Sequence, residues 1–339
     1  MWILYIIIII FFILLGIAKA ILNLIFGKRC DGNPNLKYFT AHDFEELNAK
    51  PIEFKSNKGQ TLRGNIYTNA NIKEYKGLIV FVHGMGAGHL SYTTEINTLA
   101  KAGFIVLGYD NTGTYSSEGK NLKGFFQSVI DLNNALKFVK ENKDLNKYTV
   151  SLVGHSWGAY TVCQVLQFKP EIKAVVAMSG PNNSSDLICE LMSNEIKVNC
   201  NFLKPFLTLV NLFTFGKRGI KNTTDILKDL NVPVLLLHGE CDKTVSLKNS
   251  LVSNKEILEN NNIKVISFKD RYHNVYQTKE SEEYLNSAFG KIAELSKKYK
   301  GKELEEKIAP TYKNIDYRKI TEEDKEVMDT IINFLNQNN

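Results

Sequence analysis

Six short apolar runs constrain this chain more than any other feature: LIVFV (Leu78–Val82), FIVLGY (Phe104–Tyr109), TVSLV (Thr149–Val153), AVVAM (Ala174–Met178), VPVLLL (Val232–Leu237) and KVISF (Lys264–Phe268). A strand with one face in water alternates apolar and polar residues, whereas a continuous apolar run needs cover on both faces. Segments of helical periodicity separate most of the runs, at Tyr92–Ala102, Gly124–Asn142, Trp157–Phe168 and Leu247–Asn260. Two more strands, Ile52–Lys55 and Leu62–Tyr67, read as a hairpin around Lys58-Gly59. The alternation predicts an α/β fold with a mostly parallel eight-stranded sheet and helices on both faces.

Two stretches break this rhythm. Residues from about 182 to 230 are too long for one crossover helix and carry apolar clusters such as FLKPFLTLVNLFTF (Phe202–Phe215), which predicts an inserted helical cap. Residues from about 280 to 313 are rich in Lys and Glu with apolar residues at helical spacing, which predicts solvated helix without a chemical role. A last helix follows near Thr321–Leu335. The α/β domain thus covers residues 51–339, preceded by a linker over 30–50 that contains Asp31-Gly32-Asn33-Pro34.

Residues 1–29 are of another kind. Trp2–Ala18 is apolar or small throughout and uncharged, and after Lys19 the apolar character resumes as far as Phe26. A helix needs roughly 20 residues to cross the hydrocarbon core, a length that Trp2–Phe26 meets if Lys19 snorkels to the interface. A cleaved signal peptide has its basic residues before the apolar run; here Lys28 and Arg29 follow it. One transmembrane anchor is the expectation. The positive-inside rule then places Lys19, Lys28, Arg29 and the domain in the cytoplasm, as a single-pass protein of the cell membrane.

Composition closes off other classes. Lys and Arg number 42 against 36 Asp and Glu, and the basic residues are scattered, which argues against nucleic acid as a partner. Five cysteines (Cys30, Cys163, Cys189, Cys200, Cys241) without C-x-x-C spacing support neither a disulfide framework nor a zinc site, and fit a reducing compartment.

The chemistry concentrates in Gly154-His155-Ser156-Trp157-Gly158, between an apolar strand and a helical pattern. Read alone, a serine between glycines is also what a plain tight turn uses. A strand before and a helix after make G-x-S-x-G a candidate nucleophile elbow, with the Ser156 hydroxyl raised above the sheet near a helix N-terminus. A serine needs a base. Of six histidines, His42 lies in the linker, while His83, His155 and His238 read as structural or loop-orienting. His89, in the glycine-rich loop, is ambiguous; His273 follows the last strand, downstream of the serine. Asp242 in LLLHGECDKTV completes the chain order Ser, Asp, His, with Asp270 as its rival. The amide of Trp157 and one from His83-Gly84-Met85-Gly86-Ala87-Gly88, for which Met85 is chosen, would serve an oxyanion. That loop lacks the G-x-x-x-x-G-K-[ST] pattern of a phosphate cradle.

With VHGMGAG, GHSWG and HGECDKTV followed by His273, the chain resembles the α/β-hydrolase superfamily, most nearly its monoacylglycerol lipase, lysophospholipase and serine aminopeptidase branch. The resemblance covers about Ile52 to Gln277 and the final helix. It implies Ser156, Asp242 and His273 as a triad, Met85 and Trp157 as oxyanion amides, and no metal or organic cofactor. The branch's D-x-R-G-H-G-x-S-x-G segment stands here as DNTGTYSSEG, with Thr112, Thr114 and Tyr115 in place of the arginine, histidine and second glycine. The expectation is a membrane-anchored serine hydrolase, lipase- or esterase-like, acting on carboxylic esters of monoacyl lipids, with a monomer favoured. An aminopeptidase-type serine peptidase is the alternative among enzymes. A catalytically silent hydrolase fold that binds a lipid or a partner is the alternative outside them.

Overall fold

The computed structural model describes residues 1–86 and 88–339, and at Lys255 the backbone only. One eight-stranded sheet forms the centre, in the order β1-β2-β4-β3-β5-β6-β7-β8. Its strands are β1 (Leu47–Lys55), β2 (Thr61–Asn69), β3 (Leu78–Val82), β4 (Ile105–Tyr109), β5 (Val150–His155), β6 (Val175–Met178), β7 (Val234–Gly239) and β8 (Ile263–Phe268). The β1–β2 and β2–β4 pairs are antiparallel and the remaining pairs parallel, so the sheet is mixed. β1 begins at Leu47, inside the stretch read as linker. Strands β3 to β7 are buried almost throughout, because helices lie against both faces.

The helices are α1 (Trp2–Phe26), α2 (Thr93–Lys101), α3 (Gln127–Glu141), α4 (Trp157–Gln164), α5 (Ser184–Ile196), α6 (Lys204–Phe215), α7 (Thr223–Leu227), α8 (Lys255–Leu258), α9 (Lys279–Lys298), α10 (Gly301–Lys313) and α11 (Lys325–Asn338). One expectation fails here. Leu247–Asn260, read as a helix, is two 3-10 turns and the four-residue α8. Its small polar residues take the backbone for themselves: the hydroxyl of Ser250 donates to the Leu247 carbonyl, that of Ser253 to the Lys248 carbonyl, and Asn254 accepts from the Glu256 amide. Such local bonds compete with helix.

Helices α5 to α7 occupy the 182–230 stretch. Leu203 and Leu207 are buried in the main core, while the Phe206 ring lies 5.5 Å from that of Phe11 on α1 and the Phe215 ring 5.8 Å from that of Phe126. α1 is long and apolar enough to cross a membrane, with mean hydropathy 2.8. Its second half is packed: Leu14, Ala18, Ile21, Leu22, Ile25 and Phe26 face the core, and the Arg29 guanidinium binds the carbonyls of Tyr115, Ser117 and Gly119. Helices α9 and α10 make a hairpin with a small apolar cluster of its own around Ile292, Tyr312 and Ile315.

Candidate active site

Ser156 stands where β5 turns into α4, at φ 56° and ψ −115°, a conformation rare for any residue but glycine. The glycines on either side are sterically required. A Cβ on Gly154 would lie 2.4 Å from the Gly158 carbonyl oxygen, and one on Gly158 would lie 2.0 Å from that of Val82. Ser156 is fixed from both directions, its amide donating to the Met178 carbonyl and its carbonyl accepting from the Tyr160 amide.

His273 follows β8, and its Nε2 lies 2.9 Å from Ser156 Oγ. Its Nδ1 lies 2.7 Å from Asp242 Oδ2, in the loop after β7. The other oxygen of Asp242 accepts from the amides of Thr244 and Val245 at 2.8 and 2.9 Å. Burial works to raise the Asp242 carboxyl, but the bond and charge of His273, the Val245 amide and the nearby His238 outweigh it and leave the pKa below the ordinary value. A carboxylate kept ionised beside Nδ1–H holds the ring in the tautomer whose Nε2 can accept the serine proton. The structure thus brings Ser156, Asp242 and His273 together. Asp270 is exposed on the surface, and Nδ1 of His273 is engaged by Asp242 instead.

The loop after β3 runs against the elbow, where a Cβ on Gly84 would stand 3.4 Å from Ser156 Cβ. The Gly84 amide donates to the Tyr92 hydroxyl at 3.0 Å, and Met85 is the next residue along the loop. Ala87 in this loop lies outside the described residues. Trp157 opens α4, where amides have no intrahelical acceptor; its indole N–H is tied to the Phe125 carbonyl at 2.8 Å.

His155 and His83 are neutral braces. Burial pushes His155 down to about 3, with the charge of His273 adding to the effect. His83 is lowered chiefly by burial, so Nδ1 donates to the Gly84 carbonyl at 2.6 Å and Nε2 accepts from the Asn111 amide at 3.0 Å. His89 Nδ1 contacts Asp110 Oδ1 at 2.7 Å, and Asp110 also accepts from the His89 and Ser116 amides. That carboxylate therefore ties the glycine-rich loop to the segment after β4. Thr112, at the position of the branch's arginine, gives its amide and its hydroxyl to buried Asp131.

Three groups support His273, of which sequence reasoning reads His155 as structural or loop-orienting and misses Ser179 and Glu282. The His273 carbonyl accepts from His155 Nε2 at 3.0 Å and from the Ser179 hydroxyl at 2.6 Å. The amide of the next residue, Asn274, donates to Glu282 Oε1 at 3.0 Å. Glu282 belongs to α9, in the stretch assigned no chemistry, and nothing in a Lys/Glu-rich segment distinguishes it from its neighbours. A cavity of about 190 Å3 opens alongside, walled by Tyr92, Asn274, Leu285 and Phe289.

Comparison with known proteins agrees with this architecture. A family profile described as serine aminopeptidase, S33, matches residues 73–198, which include Ser156. Esterase EstD of Thermotoga maritima is 25% identical over 223 residues, covering 58% of this chain and 53% of that relative. The chain thus matches about half the length of that curated relative. The chain has the α/β-hydrolase fold. Among solved structures, a Pyrococcus furiosus esterase superposes with TM-score 0.57 at 21% identity, covering 81% of this chain and 99% of its own. An acylaminoacyl peptidase of Pyrococcus horikoshii gives TM-score 0.52 at 18% identity, covering 69% of this chain and 39% of its own.

Proposed function

We propose that this hydrolase cleaves carboxylic esters, with monoacyl lipid esters as the substrate class, while anchored to a membrane by α1. The observation that carries the reading is the hydrogen-bonded sequence Ser156, His273, Asp242 on a strained elbow. His273 Nε2 takes the hydroxyl proton as Ser156 Oγ attacks the ester carbonyl. The oxyanion then rests on the amides of Trp157 and Met85, each such donor being worth roughly 2.7–4 kcal/mol in the transition state. His273 passes its proton to the leaving alkoxide, which departs as the alcohol and leaves an acyl group on Ser156. Water, deprotonated by the same nitrogen, releases the acid and restores the serine.

The relatives named as esterases support ester cleavage, and α1 supports delivery of the site to a membrane surface. An acyl chain has a partly apolar receptacle in the cavity walled by Tyr92, Leu285 and Phe289. The family profile's description favours a second reading, an aminopeptidase. That reading needs a carboxylate for the substrate amine. Glu282, the acidic side chain bonded next to His273, is already engaged by the Asn274 amide and raised above the ordinary range by burial.

Fluorophosphonate labelling of the folded protein tests the nucleophile: labelling that disappears in Ser156→Ala is expected, and a folded protein that takes no label is a silent scaffold. For the substrate, kcat/KM should rise along p-nitrophenyl esters, each buried methylene adding up to ~0.8 kcal/mol until the pocket is full. A profile that peaks at acetate leaves a small-ester hydrolase, and faster cleavage of aminoacyl amides leaves a peptidase.

A further inference from the structure

Beside α1 and α6 lies a crevice that the reaction does not use. It has a volume of about 200 Å3, and its polar lining is Lys19, Asn23, Asn121, Lys123, Asn211 and Thr214, with no Asp or Glu among the described lining residues. We propose that this crevice binds the headgroup of an anionic phospholipid. The proposal rests on the reading of α1 as a membrane anchor.

Three observations carry it. The first is Asn211. From Pro205 to Gly216 the sequence has no charge, yet the helix places an asparagine in its middle. That residue is 5% exposed and lines the crevice, and its amide is not among the buried unpartnered groups, so it keeps contact with solvent there. An amide that reaches the crevice from an otherwise apolar helix face can bond a ligand that enters it.

The second is the donor set. Two ammonium groups and three carboxamides offer N–H donors to the oxygens of a phosphodiester, while the Thr214 hydroxyl donates to the Val210 carbonyl. A zwitterionic headgroup also carries a cation, for which the described lining supplies no acid. The crevice therefore matches a headgroup whose net charge is negative.

The third is depth. Lys19 is the first charge after the apolar run Trp2–Ala18, so in an anchored chain it stands at the level of the headgroups. Lys123 meets it from the domain side, in the loop before α3, at a left-handed φ of 67°. Gly124 follows at φ 148°, and a Cβ there would lie 2.7 Å from the Phe215 ring, so the loop is closed against α6. The crevice therefore has one wall from the anchor and two from the domain. Its volume admits a headgroup, while acyl chains would run along α1.

The test uses the full-length chain in nanodiscs of phosphatidylcholine alone or with rising fractions of phosphatidylglycerol, read by the midpoint of thermal unfolding. A ligand of the folded state raises that midpoint until the site is full. The wild type should show a saturating rise. Lys19→Gln with Lys123→Gln should need about 25-fold more phosphatidylglycerol, at about fivefold per lysine. Asn211→Leu, which keeps the volume and removes the amide, should weaken the response while leaving the midpoint in pure phosphatidylcholine at or above the wild-type value. Lys137→Gln with Lys140→Gln, the same charge loss at the far end of α3, should respond as the wild type does. Crevice variants that respond like the wild type overturn the site, as does an equal loss in the Lys137/Lys140 variant, which would mean diffuse attraction. A full rise from millimolar inorganic phosphate in pure phosphatidylcholine discs would identify a free-anion site and overturn the lipid assignment. Exclusion from phosphatidylcholine discs would sink the anchor and the site with it; retention there without a phosphatidylglycerol response would sink the site alone.

Discussion

The imidazole of His155 donates from Nε2 to the backbone carbonyl of His273, 3.0 Å away. The residue just before the elbow serine therefore holds the loop that carries the base. A carbonyl only accepts, so the proton of the neutral His155 ring is on Nε2. Nδ1 then accepts from the Tyr92 hydroxyl at 2.9 Å, and the Tyr92 oxygen accepts from the Gly84 amide at 3.0 Å. Three bonds of one polarity run from the loop after β3 to His273.

Tyr92→Phe breaks this run in the middle and leaves the Gly84 amide and His155 Nδ1 without a partner. Each buried group so stranded costs roughly 1–3 kcal/mol. The expected outcome is a lower unfolding midpoint together with a fall in kcat at little change in KM, because the loop beside Ser156 and the base are both displaced. Stability and kcat equal to the wild type would mean that the run has no positioning role.

Ser156→Gly should be inactive and more stable than Ser156→Ala. The φ of 56° with ψ of −115° strains any side-chain-bearing residue, and strain of this kind is worth roughly 1–3 kcal/mol. Part of the relief is offset by the entropy glycine loses on folding, which leaves about 1 kcal/mol. Chemical denaturation of the two variants checks it; equal stabilities would mean that the elbow is unstrained.

Asp242→Asn should lower kcat by roughly four orders of magnitude, because an amide in that position favours the wrong tautomer of His273. Asp270→Asn should leave turnover almost unchanged. Reversal of the two results would move the acid to Asp270.

A pH dependence of stability follows from Glu95 on α2 and Glu323 before α11. Among the described residues, Glu95 Oε2 and Glu323 Oε1 have no partner. Burial, then the charge of Glu323, raises Glu95 well above the carboxylate range. Burial raises Glu323 to about 7, against the pull of the Thr98 hydroxyl and Lys101. The folded state therefore keeps protons that the unfolded chain releases above its ordinary value of 4.5. This contribution is fully present below about 4.5 and is lost as pH rises through about 7. Glu323→Gln should gain in unfolding midpoint over the wild type between about pH 5 and about pH 8. A difference that stays flat with pH would place these groups in solvent.

The sequence made the elbow legible because three local signals coincide there: a buried strand, two glycines that packing requires, and a helix. Asp242 and His273 were legible through chain order. The sheet was legible from runs such as Leu78–Val82, whose apolar character nothing else explains. Leu247–Asn260 misled, since its apolar spacing is helical while its serines and Asn254 bind their own backbone. Glu282, and the particular partner of a His155 already read as structural or loop-orienting, were beyond reach for a different reason. Their roles arise from contacts across 118 positions for His155 and 8 for Glu282, across a turn that periodicity does not report.

The packing of α1 has a further consequence. Its face from Leu14 to Phe26 is joined to the domain, so a helix set in a bilayer would carry Ser156 at one fixed height and tilt. Such a molecule meets its substrate by drifting within a plane. Its turnover would follow the share of ester among the lipids of that leaflet, falling when inert lipid is mixed in and staying constant when the suspension is diluted with buffer.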